Sequence, residues 1–171
     1  RGVMVTSDKD YLQLVSETTE MLNHKNEIVG LSGVQERFGC RPDQVIEVLG
    51  LMGDSSDNIP GVRGVGEKTA LKLIQQFGSI EKVYENLDEV PGKSLKSKLE
   101  EGRDQAMLSR ELVTIHREVP LEIVLEDLQL DQSPLSENKE FLDLLQELEL
   151  NNLLRRITEG SVSSRKQDSS G

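Results

Sequence analysis

Gly53-Asp54-Ser55-Ser56-Asp57-Asn58-Ile59-Pro60-Gly61-Val62-Arg63-Gly64-Val65-Gly66-Glu67-Lys68-Thr69-Ala70 is a glycine- and carboxylate-rich loop running into a helix. Asp54 and Asp57 pair at helical or turn spacing, and Asp and Asn are also ordinary turn formers and caps. Gly64 and Gly66 let the backbone turn tightly and approach another backbone closely. The helix that follows presents free N–H groups, which favour a phosphate. Its apolar stripe is Ala70, Leu71, Leu73, Ile74 and Phe77, and Gly78 stops it. Lys68 and Lys72, four apart, share a face away from that stripe. The plain reading is a tight interhelical turn with solvated lysines. A nucleotide loop fits less well, because no Gly-Lys-Ser/Thr run occurs and the Gly-x-Gly lacks a third glycine.

Upstream, Val3-Met4-Val5 predicts a short buried strand ending in Thr6-Ser7-Asp8-Lys9-Asp10. Asp8 and Asp10 thus sit where a strand gives way to a helix, and on a continuing strand they would point the same way. Tyr11, Leu12, Leu14 and Val15 recur at helical spacing, and Met21-Leu22 and Ile28-Val29 read as short strands. Ser32 with Gln35 fits a capping box for a helix through Phe38. Pro42 suits a first turn, followed by an amphipathic helix on Val45, Ile46, Val48, Leu49 and Met52. Downstream, Ser79 caps a helix on Ile80, Val83, Tyr84 and Leu87, and further helices are expected near 93–100, 103–116 and 136–148. Residues 158–171 lack periodicity and are expected to be disordered.

Composition narrows the classes. The 171 residues carry a net charge of −11, with 35% hydrophobic and 30% charged side chains, as in a globular domain. No apolar run approaches the roughly 20 residues of a membrane span, no signal peptide is visible, and a cytoplasmic location is expected. The single cysteine, Cys40, excludes an internal disulfide and a cysteine-rich zinc site. His24 and His116 are too few and too far apart for a histidine metal site. The acidity is uneven: residues 60–110 carry 9 basic and 8 acidic side chains, whereas 111–160 carry 4 and 12. A nucleic-acid surface in the middle segment is compatible with that distribution. Four carboxylates that converge are costly unless cations neutralise them, and hard oxygen ligands suit Mg²⁺ or Mn²⁺.

Together, Thr6-Ser7-Asp8-Lys9-Asp10-Tyr11-Leu12-Gln13-Leu14 and the stretch Gly53 to Ala70 closely resemble the 5′-nuclease domain of bacterial-type DNA polymerase I in order and spacing, from residue 1 to about 157. The resemblance implies a structure-selective 5′–3′ exonuclease and flap endonuclease, acting on nicked, flapped or 5′-ended duplexes and removing RNA primers. It implies that Asp8, Asp10, Asp54 and Asp57 are catalytic metal-site carboxylates in a two-metal Mg²⁺ or Mn²⁺ centre. Gly61, Val62, Arg63, Gly64, Val65, Gly66, Lys68, Thr69 and Lys72 would belong to a helix–three-turn–helix gripping duplex DNA, where a K⁺ ion joins backbone carbonyls to a phosphate.

The expected architecture is α/β: residues 1–52 as the C-terminal part of a Rossmann-like, PIN-like catalytic sheet, and 53–90 as the acidic loop and helix-hairpin-helix. Residues 91–157 form a helical region and 158–171 a tail. Arg1 is not Met and opens straight into a strand, so the chain is read as a fragment whose upstream half, with the remaining metal ligands, lies elsewhere. A polymerase domain could follow it. Tested alone it is expected to be a poor or inactive nuclease. The rivals are a non-catalytic helix-hairpin-helix DNA-binding module, against which the acidic pairs count, and an acidic protein-interaction domain, against which the hairpin counts.

Overall fold

Val45, Val48, Leu49 and Leu51 are all fully buried, which makes the short helix that carries them the centre of the core. The computed structural model describes residues 1–129 and 133–164, with side chains through 159. The strands are β1 (Gly2–Val5), β2 (Thr19–Leu22) and β3 (Ile28–Val29). The helices are α1 (Leu31–Phe38), α2 (Val45–Met52), α3 (Glu67–Phe77), α4 (Ile80–Glu85), α5 (Lys93–Glu101), α6 (Arg103–Val113), α7 (Lys139–Glu147) and α8 (Asn151–Ser164). The architecture is mixed α/β and mostly helical, as expected. Its small sheet runs β1-β2-β3, with β1 parallel to β2 and β2 antiparallel to β3.

The strand expected to be buried is corrected. Val3 is 50% and Val5 79% exposed, because β1 is an edge strand and these residues alternate with Met4, which packs against the core. The capping box of α1 is corrected too. Gly30 occupies the cap position, so Ser32 lies inside the first turn and caps nothing. Pro42 opens a 3₁₀ turn, Pro42–Gln44, that leads into α2. Ser79 caps α4 as expected, and α3 stops at Gly78, whose φ of 92° puts it among left-handed conformations. Cys40 is buried, and burial first, with Asp43 adding, pushes its thiol up to about 11.

Two side-chain devices lock the helices around α2. Gly50 lies so close to its neighbours that an added Cβ would stand 2.7 Å from Ile80 Cδ1 and 2.9 Å from Arg110 Cβ. One turn earlier, the buried Glu47 accepts the Ile80 N–H at 2.8 Å, tying α2 to the start of α4. The Arg110 guanidinium of α6 then pairs with Glu47 at 3.5 Å and with Glu81. A buried carboxylate is tolerated only when its acceptors are filled in this way.

The chain divides into two compact units, Arg1–Val119 and Pro120–Gly171. Within the first unit α2 packs on both α3 and α6, so that residues of the expected segments 1–52, 53–90 and 91–157 share one core. In the second unit, Asn138 caps α7 by accepting the Phe141 N–H at 3.0 Å, and Leu145 is buried. Of the segment expected as a tail, 158–164 are the end of α8, which continues past Thr158, whose hydroxyl donates to the Leu154 carbonyl. Residues 165–171 of that expected tail lie outside the described residues.

Gly50→Ala forces the Cβ into Ile80 and the Arg110 backbone, and overpacking of that kind costs about 1–3 kcal/mol. Urea denaturation should show a lower midpoint with an unchanged slope.

Candidate functional site

The loop after α2 is closed by a backbone pinch. Asp54 N–H donates to the Ile59 carbonyl at 2.9 Å and Ile59 N–H returns the bond at 2.8 Å. Gly53 and Gly61 flank this bridge with φ of 74° and 57°, and a Cβ on Gly61 would stand 2.3 Å from Gly53 N. No other residue fits there. The Gly61 N–H donates to the buried Ser109 hydroxyl of α6 at 2.9 Å, and Val62 N–H donates to the Leu51 carbonyl at 2.8 Å. Each end of the loop is therefore bonded to a core helix.

That closure presents Asp54 with its two oxygens in different employment. Oδ1 accepts the Ser56 amide at 2.9 Å and the Ser56 hydroxyl, which is the turn chemistry foreseen for it. Oδ2 faces the Lys9 ammonium at 2.7 Å. Burial works to raise the Asp54 carboxyl, but Lys9 and Ser56 together outweigh it and hold the group at about 2. Asp57, on the same loop, is exposed.

The first pair arrives by a different route from the one expected. β1 ends at Val5, so strand alternation does not align Asp8 with Asp10. Asp8 instead caps the 3₁₀ turn Lys9–Leu14, its Oδ1 accepting the Asp10 N–H at 3.0 Å. Asp10 Oδ1 is buried without a hydrogen-bond partner. Its pKa is raised, first by burial and then by the charges of Asp8, Asp54 and Asp57, with Lys9 opposing. The four predicted carboxylates therefore share one electrostatic neighbourhood. Among the described residues, however, no group of three acidic, histidine or cysteine side chains surrounds one point as a metal-binding cluster. The donors do suit a hard divalent cation: all are carboxylate oxygens, and two of them, Asp10 Oδ1 and Asp54 Oδ2, are buried and accept no hydrogen bond, the second facing the Lys9 ammonium as an ion pair. Asp10 and Asp54 are the best placed of the four to hold one.

The hairpin consists of α2, the loop and α3. Val62 and Val65 are its buried anchors, while Arg63, Gly64, Gly66, Lys68 and Lys72 are exposed and Thr69 is half-buried. Gly61, Val62 and Val65 commit their amides internally, the last to the Val62 carbonyl at 3.0 Å, while Gly64 and Gly66 lie at the exposed part of the turn. Gly64 has φ of 80°, and the Lys98 side chain of α5 lies over it, with Nζ 3.0 Å from where a Cβ would be. Arg63, Gly64, Lys98, Glu101, Gly102 and Gln105 line a groove of about 580 Å³.

Lys9, Lys98 and Ser109 were missed in the sequence. Lys9 carried a signal, since a cation between two carboxylates has to face one of them or water. Ser109 carried none beyond its place in an otherwise apolar helix stripe.

Residues 40–136 match the family described as 5′-3′ exonuclease, C-terminal SAM fold, and with more than half of its length matched the chain belongs to this family. Among its relatives are the DNA polymerase I of Bacillus subtilis strain 168, 42% identical over 169 residues, and the thermostable DNA polymerase I of Thermus thermophilus, 42% identical over 120. These alignments take in 96% and 70% of this chain but only 19% and 14% of the relatives, so the chain spans a fifth of their length or less. In fold it is similar to T5 5′-exonuclease. One mutant structure superposes with a TM-score of 0.59 at 22% identity over 65% of this chain and 46% of the other. A second structure, with zinc as the bound divalent metal, gives 0.58 at 24% identity over 65% of this chain and 42% of that one. No helix among the described residues is long and apolar enough to cross a membrane.

A carboxyl whose folded-state pKa is raised costs stability once the unfolded chain ionises. That cost is absent below the ordinary value of 3.8 and fully present above the raised value. Asp10→Asn is therefore expected to raise the melting temperature at pH 7 in EDTA by about 2 °C. The gain should vanish below pH 3.8 in thermal melts across pH.

Proposed function

We propose that this chain supplies the acidic site and the duplex-gripping hairpin of a 5′–3′ exonuclease and flap endonuclease, a metal-dependent phosphodiester hydrolase of DNA replication and repair in the cytoplasm. The observation that carries the reading is the continuity of one pinched loop. Asp54 and Asp57 stand before Gly61, and the exposed turn at Gly64 and Gly66 follows it, so one rigid connection joins the carboxylates to the phosphate-facing turn. Family membership and the polymerase I relatives support the same reading.

In this reading the hairpin holds a duplex phosphate at the Gly64 and Gly66 turn, with Lys68 and Lys72 adding charge and a K⁺ ion able to join the turn's carbonyls to it. Contacts to phosphates carry no sequence information, so the grip is sequence-independent. Asp8, Asp10, Asp54 and Asp57 would hold Mg²⁺ or Mn²⁺. Two such ions activate water and stabilise the leaving oxygen of a phosphodiester. The chain's own contribution is to fix the carboxylates through the Asp8 cap and the Gly53–Gly61 pinch.

Each phosphate contact contributes close to one unit to the salt slope of duplex affinity. The double variant Lys68→Ala/Lys72→Ala should lower the slope by about two units and weaken all duplex sequences alike, read by fluorescence anisotropy across salt concentrations. In the complete nuclease that this reading implies, Asp54→Asn should keep or increase duplex affinity while abolishing metal-dependent flap cleavage. Unchanged affinity in the double lysine variant refutes the hairpin assignment.

A further inference from the structure

Lys9 stands between Asp8 and Asp10 in sequence and against Asp54 in space. Its ammonium lies 2.7 Å from Asp54 Oδ2, and the Asp54 side chain is 2% exposed where that of Lys9 is 35% exposed. Asp54 is immobile. Its Oδ1 is taken by Ser56, and its backbone is bonded on both sides to Ile59. Lys9 is held at its backbone by the 3₁₀ turn, but its side chain reaches water. The pair is thus a fixed anion with a movable cation.

Mg²⁺ binds a carboxylate oxygen at about 2.0–2.1 Å and competes for the lone pairs that the ammonium now faces. Both cations cannot occupy the contact position on Asp54 Oδ2. Removing Lys9 leaves the buried Asp54 charge uncompensated, so the Asp54 site needs one cation or the other.

We propose that Lys9 is the resident counter-ion of the acidic site, a tethered monovalent cation that a divalent metal must displace from Asp54 in order to bind there. The inference rests on the reading of these carboxylates as metal ligands. Lys9 is a positioning residue: it holds the Asp54 carboxylate in place without metal, and it sets the metal concentration at which the site fills. Metal binding then becomes an exchange in which the ammonium swings toward solvent while the Asp54 loop stays in place.

The test measures Mn²⁺ affinity by calorimetry, and melting temperature in EDTA, on the whole chain and on Lys9→Met, Lys9→Gln, Asp54→Asn and Lys25→Met. Lys9→Met and Lys9→Gln should bind Mn²⁺ about tenfold more tightly, a change equivalent to one ion-pair contact removed from the competition. Both should melt lower than the parent in EDTA and recover when Mn²⁺ is added. Lys9→Gln serves if Lys9→Met does not fold. Lys25→Met, which removes a charge from the β2–β3 turn, should change Mn²⁺ affinity less than twofold. Equal or weaker Mn²⁺ binding in the Lys9 variants, with Asp54→Asn still weakening it, overturns the exchange and leaves the metal reading standing. Mn²⁺ binding that is insensitive to Asp54→Asn in every background overturns both.

Discussion

The approach of Gly61 to Gly53 is the constraint on which the rest of the first unit depends. Two residues without side chains bring the ends of the nine-residue loop 53–61 so close that a Cβ on Gly61 would stand 2.3 Å from Gly53 N, and Ser109 and Leu51 bond the closure to α6 and α2. A core helix ends, an acidic loop begins and closes, and a glycine turn starts, all within fourteen consecutive residues, 53–66. Any movement of α2 against α6 is therefore transmitted to the carboxylates and to the exposed turn together. The Gly50 contact and the Glu47–Arg110–Glu81 cluster resist such movement.

The electrostatics follow from that geometry. Two carboxylates in one neighbourhood are driven in opposite directions. Asp10, half-buried beside three other acids, is pushed up, while Asp54, more deeply buried, is held down by Lys9 and Ser56. Burial alone would raise both. The difference lies in which of them obtained the ammonium. A chain of net charge −11 concentrates repulsion here and offsets it locally with one lysine.

Local chemistry was legible in the sequence because it is written in consecutive residues. The Gly78 stop, the Ser79 cap, the apolar stripe of α3 and the two Asp pairs all depend on neighbours a few positions away. What was not legible is contributed across distance. Ser109 meets Gly61 from 48 residues away, Lys98 reaches Gly64 from another helix, and Lys9 meets Asp54 across 45 positions. The capping box failed for a local reason: the cap fell two residues before Ser32, at Gly30, and α1 begins at Leu31.

Cys40 has a practical consequence for studying these motions. The thiolate, not the thiol, reacts with alkylating reagents. Burial keeps this sulfur both enclosed and protonated at neutral pH, with a pKa near 11. It is also the chain's sole cysteine. A native molecule therefore carries a built-in clock, because reagent consumption records how often the core around α1 and α2 opens, free of background from a second thiol. The rate at which that clock runs reports sub-global opening rather than surface chemistry.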